Sequence, residues 1–200
     1  MIGELYARAL AGRADPDIEY SDGRRVPLRA ARWLRLQPGD ASLLRRCAGS
    51  VLDVGSGPGR LTVALAGRGL VALGIDVDPY AVALARSAGA FALRCDVFAD
   101  VPGRWDRVLL ADGNIGIGGD PAALLRRARQ LLTPGGRVLV ELDPPGTPMS
   151  SQQVRLRHGD ELGGWFAWAH VAADRVAEVA GAGWTVDVWT EEGRWFAELR

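Results

Sequence analysis

The stretch VLDVGSGPGR, residues 51–60, constrains the fold more than any other part of the chain. Apolar residues lead to Asp53, and glycines then alternate at positions 55, 57 and 59. A short apolar run closed by glycines reads as a buried strand turning into a loop. Glycine has no side chain, so backbone amides in such a loop can approach a ligand closely. A helix expected from Arg60 to Ala66 points its positive amino end at the same place.

Strands and helices then alternate. VALGID (71–76) reads as a strand. A helix follows from Pro79 to Ala88, with Asp78 as its cap and proline in its first turn. FALRC and DRVLLAD are the next two strands. Pro121 to Leu132 is a helix with Leu124, Leu125, Ala128, Leu131 and Leu132 at helical spacing. TPGG then turns the chain into RVLVELD. This order implies a parallel sheet with helices on both faces. Such sheets bind ligands beyond the carboxyl ends of their strands. Asp53, Asp76, Asp96 and Asp112 all fall on that rim, more acids than solubility requires.

The flanks read differently. Helices are expected at Glu4 to Leu10 and Pro27 to Leu36, making residues 1–47 a helical cap over a core at 48–143. SQQVRLRHGDELGGWFAWAHV alternates enough for two extended segments. Alternation places Trp165 and Ala167 on one face, Phe166 and Trp168 on the other. A helix from Ala172 to Ala180 precedes WTVDVWT and RWFAELR, a hairpin closed by Glu191-Glu192-Gly193. Residues 144–200 would thus complete a single domain on its substrate side.

Composition removes some functions. The chain has 200 residues, 24 of them basic and 24 acidic, for a net charge of zero. A nucleic-acid binder would carry a basic excess. Every basic residue is arginine, so the cluster Arg24, Arg25, Arg29, Arg32 and Arg35 reads first as a solvated face. Cys47 and Cys95 lack metal-ligand spacing and read as small hydrophobes, and no metal is expected. No apolar run nears the ~20 residues of a membrane span. Glu4 and Arg8 interrupt the amino terminus, so a cytoplasmic setting is expected. Oligomeric state is left open.

The loop also separates two kinds of site. A dinucleotide fingerprint, G-x-G-x-x-G, would place its third glycine where Arg60 stands. DVGSGPG followed by GIDVDP, LRCDVF, VLLADGN and LLTPGGRVLVE resembles instead the successive motifs of class I S-adenosylmethionine-dependent methyltransferases, over residues 49–143. Ser56 stands where that family commonly has cysteine. The resemblance implies a seven-stranded Rossmann-like α/β sheet, mostly parallel with an antiparallel last strand.

It also implies roles. Gly55, Ser56, Gly57 and Gly59 would line the cofactor, and Asp53 would orient their loop and meet the methionine ammonium. Asp76 would accept the ribose hydroxyls, Val77 would lie on adenine, and Asp96 and the Val97 amide would meet its edge. Asp112 would contact the ammonium or the acceptor. The loop ADGNIGIGGDP (111–121) lacks the family's Asn/Asp-Pro-Pro-aromatic signature, which disfavours a base or amide acceptor. Asn114, Trp165, Trp168 and His170 are candidate acceptor contacts, as is Tyr20, which could also close over the cofactor. Asp112, His170 and His158 are the candidate bases. The expected reaction moves a methyl group from S-adenosylmethionine to oxygen or nitrogen of a small molecule, releasing S-adenosylhomocysteine. Rival readings are aminopropyl transfer or other chemistry on the same fold, and a non-catalytic cofactor-binding subunit. Arg60 and Asp53 oppose a nicotinamide dehydrogenase.

Overall fold

A computed structural model describes residues 3–200. Seven strands form the main sheet: β3 (Ser50–Val54), β4 (Val71–Asp76), β5 (Ala92–Arg94), β6 (Trp105–Leu110), β7 (Leu132–Leu142), β11 (Val186–Glu191) and β12 (Arg194–Leu199). Their order is β11-β12-β7-β6-β3-β4-β5. The pairs from β7 to β5 are parallel, and β12 runs antiparallel to both neighbours. This is the sheet that the motifs implied. From β3 the chain steps outward to β4 and β5, then crosses back to β6 and β7. Strand order therefore reverses between β3 and β6, where open α/β sheets bind ligands.

Strand alternation divides the core. Leu109 and Leu139 face Leu43 and Leu44 of α2 (Asp40–Arg46) and Leu61 and Leu65 of α3 (Arg60–Gly67). Val108, Leu110, Val138 and Val140 face Leu124, Leu125 and Ala128 of α5 (Pro121–Leu131). The periodic leucines of α5 are buried as their spacing predicts. α4 (Pro79–Ser87) starts as expected, with Asp78 accepting from the Tyr80 and Ala81 amides.

The flanks require corrections. The first 47 residues are not wholly helical. α1 (Glu4–Leu10) is present, but β1 (Asp17–Tyr20) and β2 (Arg25–Pro27) form a hairpin closed at Ser21-Asp22-Gly23. The Asp22 carboxylate accepts from the Arg24 amide, a local bond that favours the turn. The helix expected over Pro27–Leu36 shrinks to a 3-10 turn at Ala30–Leu34, preceded by Arg29 in the left-handed region. α2 has no counterpart in the sequence reading. β1 joins β8 (Ser150–His158), which also pairs with β10 (Phe166–His170) and the two-residue β9 (Glu161–Leu162). A second sheet, β10-β8-β1-β2, results. The helix expected from Ala172 survives as α6 (Val176–Ala180), because Val171 and Ala173 are bonded to Asp143 instead.

The second sheet roofs the rim of the first. Ile18 and Leu156 pack with Leu5 and Tyr6 of α1 and with Ala81 and Leu84 of α4. At its other end, Trp168 bridges Ile117, and Ala172 bridges Asp143 at the end of β7. Sequence-distant segments thereby enclose the ends of β3, β4, β6 and β7.

Candidate active site

The glycine loop leaves β3 at the strand-order reversal. Gly55 and Ser56 donate to the Ile75 carbonyl, and Gly57 donates to one oxygen of Asp76 at 2.9 Å. The other Asp76 oxygen accepts from the Asp78 amide at 2.8 Å. One carboxylate thus joins the glycine loop to the turn before α4. Burial pushes the Asp76 carboxyl upward, and the Asp78 and Gly57 amides pull it back. Each oxygen keeps a lone pair for a ligand hydroxyl. Gly59 shows why a side chain is excluded: its φ is +86°, and a Cβ there would lie 2.7 Å from Ala85 Cβ.

A cleft of about 360 Å³ opens beside this turn, lined by Gly3, Glu4, Ala7, Val77, Asp78, Pro79, Tyr80 and Arg94. Val77 is partly exposed in it, and Arg94 donates to the Val77 carbonyl at 3.2 Å. Asp96 lies beyond β5, exposed, with one oxygen taken by the Phe98 amide. Val97 is buried, and its carbonyl accepts from Arg127.

Asp53 is only 2% exposed and accepts from Thr62 Oγ1 at 2.7 Å. It therefore braces α3 rather than the glycine loop. Burial raises its carboxyl to about 7, opposed by Thr62 and Arg60. The Ser56 hydroxyl points under the loop toward Gly74 and Thr62 and has no partner.

Asp112 sits in the left-handed region at φ 54°. Both its oxygens accept from Arg60, at 2.5 and 3.1 Å, and its amide donates to Glu141. Arg60 also grips Asp40, and Arg194 joins Asp40 to Glu141. This buried network holds the loop after β6. It leaves Asp112 no oxygen free of arginine, which counts against its use as a base. Asn114 is also spoken for: its amide nitrogen donates to the Val54 and Gly55 carbonyls at 2.8 and 3.0 Å.

The two histidines separate. His158 is exposed at the far end of β8 and meets the Asp15 carbonyl. It stands eight positions along β8 from Ser150, the partner of His170, about 26 Å along an extended strand. His158 is therefore not beside His170. His170 meets Tyr20 Oη through Nε2 and Asp143 through Nδ1, both at 3.0 Å. Tyr20 belongs to this chain of bonds, not over the glycine loop. The residue over that loop is Tyr6, whose hydroxyl would lie 3.4 Å from a Cβ on Gly57. Burial, then Asp76, Asp78 and Asp112, push the Tyr6 phenol well above its usual range. Sequence reading missed Tyr6 because an aromatic on the buried stripe of α1 looks like core.

Trp168 lies on the inner face of the roof, edge-on to Phe166 at 6.4 Å. Trp165 is nearly half exposed, with the Arg155 guanidinium 4.4 Å from its ring. The two tryptophans therefore do not share a pocket, as alternation predicts.

Residues 51–136 match the family model described as a methyltransferase domain. That stretch is the core of the main sheet, from β3 to the start of β7, and it carries the motifs that resemble class I S-adenosylmethionine-dependent methyltransferases. No curated protein sequence matches the chain significantly. Among solved structures, it is similar to an S-adenosylmethionine-dependent methyltransferase from Bacteroides fragilis in complex with S-adenosyl-L-homocysteine. Identity is 21%, coverage is 98% of this chain and 92% of that one, and the TM-score is 0.81. The sugar N-methyltransferase KedS8 from Streptoalloteichus sp ATCC 53650 matches at 19% identity over 80% of this chain and 83% of its own, with TM-score 0.58. The 1,6-didemethyltoxoflavin-N1-methyltransferase from Burkholderia thailandensis matches at 21% over 80% and 73%, with TM-score 0.55. At these identities the likeness is one of fold. Among the described residues, no helix is long and apolar enough to cross a membrane.

Proposed function

We propose that the protein is an S-adenosylmethionine-dependent methyltransferase that transfers the methyl group to an oxygen or nitrogen of a small molecule. The observation that carries the cofactor assignment is Asp76. Its carboxylate ties two backbone amides and keeps lone pairs beside the cleft, as a ribose diol requires. Val77 would lie against adenine, with Asp96 and the Val97 amide at its edge. The glycine loop would follow the ribose and methionine, and Tyr6 would cover them. When bound, the cofactor supplies an activated methyl group on sulfur. The protein's part is then to orient the acceptor and to exclude water.

The acceptor would lie between the end of β7 and the inner face of the roof, against Trp168 and near His170. Of the three candidate bases, His170 is the one that this arrangement supports. Glycine-rich turns bring Ile117 against Trp168 on this side of the roof. Similar proteins are named for a sugar and for 1,6-didemethyltoxoflavin, which supports a small-molecule acceptor.

Calorimetry with S-adenosylmethionine, S-adenosylhomocysteine and NADH tests the cofactor. The expected result is micromolar binding of the first two and none of NADH; the reverse pattern defeats the assignment. Methyl-tritiated S-adenosylmethionine with a sub-1-kDa cell extract tests the reaction. Label should appear in small molecules as S-adenosylhomocysteine accumulates.

A further inference from the structure

Tyr20, His170 and Asp143 come from three sequence-distant segments and meet at the edge of the roof, past the end of β7. A carboxylate only accepts hydrogen bonds, so the contact at 3.0 Å puts the proton of neutral His170 on Nδ1. Nε2 must then accept, and Tyr20 must donate its hydroxyl proton to it. Both ring nitrogens are engaged. The Tyr20 oxygen, having given its hydrogen away, keeps both lone pairs. A proton taken up by the tyrosine–histidine pair therefore enters at the phenolic oxygen.

A second observation marks the same surface as a place for a ligand. β8 and β10 align Gln152 with Trp168 and Ser150 with His170, and β1 aligns Tyr20 with Val154. Gln152, Trp168, His170 and Tyr20 thus share the inner face of the roof. There the Gln152 side-chain oxygen is buried without a hydrogen-bond partner. Such a group is costly unless a donor reaches it.

We propose that Tyr20, His170 and Asp143 form a proton relay for an acceptor whose attacking atom carries a hydrogen, a hydroxyl or an amine. Gln152 would accept a second hydrogen bond from that acceptor. This rests on the methyl-transfer reading above. As the acceptor's oxygen or nitrogen bonds to the methyl carbon, the carbon–sulfur bond breaks and its electron pair stays on sulfur. The acceptor's proton passes to Tyr20 Oη while the Tyr20 proton passes to His170 Nε2. The imidazolium so formed is held by the Asp143 carboxylate. Tyr20 is the catalytic residue; His170 and Asp143 act through it. An acceptor attacked at a thioether sulfur has no proton for this path.

The test uses the full chain and the variants Y20F, H170Q and D143N, with three readouts. Affinity for S-adenosylhomocysteine should stay within threefold of wild type, since none of these residues touches the proposed cofactor cleft. Label transfer from methyl-tritiated S-adenosylmethionine to the sub-1-kDa extract should fall by about 100-fold or more in Y20F and H170Q. Side-chain nitrogen NMR of the protein loaded with S-adenosylhomocysteine should show His170 as the Nδ1–H tautomer, inverted in D143N. Y20F with transfer within threefold of wild type overturns the relay, as does an Nε2–H tautomer in the wild-type protein. If wild type transfers no label, the methyl-transfer reading fails, and the tautomer decides the relay by itself.

Discussion

Asp76 and Asp53 are both buried carboxylates at strand ends, yet their surroundings set different tasks. Asp76 faces two amides and a cleft. Removing its charge should cost the ribose contacts. Asp76→Asn is expected to weaken S-adenosylhomocysteine binding by about 10- to 100-fold, the worth of one or two hydrogen bonds to a charged group. Calorimetry checks this, and an unchanged affinity would remove Asp76 from the site. Asp53 faces Thr62 and apolar core. Burial lifts its carboxyl from 3.8 to about 7, so in that interval the folded protein holds a proton that the unfolded chain has lost. Stability should therefore fall as pH rises from about 4 to about 7, by up to about 1.4 kcal/mol per pH unit from this group. Asp53→Asn keeps an acceptor for Thr62 and should flatten that slope. Urea unfolding of both proteins at pH 4.5 and 7.5 measures the difference, and identical slopes would defeat the assignment. Sequence placed both acids on the rim. It could not divide their roles, because Thr62 and Gly57 reach them only in the folded chain.

Between elements, the legible part was what local pattern dictates. The apolar runs, the cap at Asp78 and the α5 leucines are all decided within a dozen residues. The roof was not legible for the converse reason. β1 is four residues long, and its partner β8 lies more than 130 positions away. Nothing local distinguishes DIEY from a loop with two apolar residues. Separation along the chain also hid the partners of His170, since Asp143 is 27 positions away and Tyr20 is 150. Close packing between neighbours is likewise invisible until elements are placed. Gly59 lies where α3 meets α4, with Ala85 in contact with the space that a side chain would fill. Gly59→Ala would combine a left-handed backbone with overpacking and should cost about 2–4 kcal/mol. Gly69 has φ +80° but open space around it, so Gly69→Ala should cost only the backbone term, about 1–2 kcal/mol. Chemical denaturation of the pair separates the two effects; equal losses would mean that the α3–α4 approach is not tight.

At the scale of the molecule, one buried charge network ties the two ends of the chain to the rim. Asp40 starts α2, is 1% exposed, and accepts from both Arg60 and Arg194. Arg60 opens α3 and carries the bonds on to Asp112 after β6. Arg194 opens β12 and carries them to Glu141 in β7. Desolvation opposes the Asp40 charge, but the two arginines and the Gln37 amide outweigh it and hold its carboxyl below the usual range. Its replacement by alanine leaves two largely buried guanidiniums each short of a partner. Breaking such a pair costs about 3–5 kcal/mol, because the charge left behind stays desolvated. For a chain of this size that is a fall of roughly 10 °C in Tm. Arg45 offers the control, since its bridge to Glu191 is exposed and should be worth less than about 1 kcal/mol. Arg45→Ala should melt with wild type while Asp40→Ala melts far below it. Because Arg60 follows Gly59 directly and holds Asp112, Asp40→Ala should also weaken S-adenosylhomocysteine binding, although Asp40 lies outside the cleft. Asp40→Ala with wild-type melting would show that the remaining carboxylates, Asp112 and Glu141, satisfy both arginines unaided.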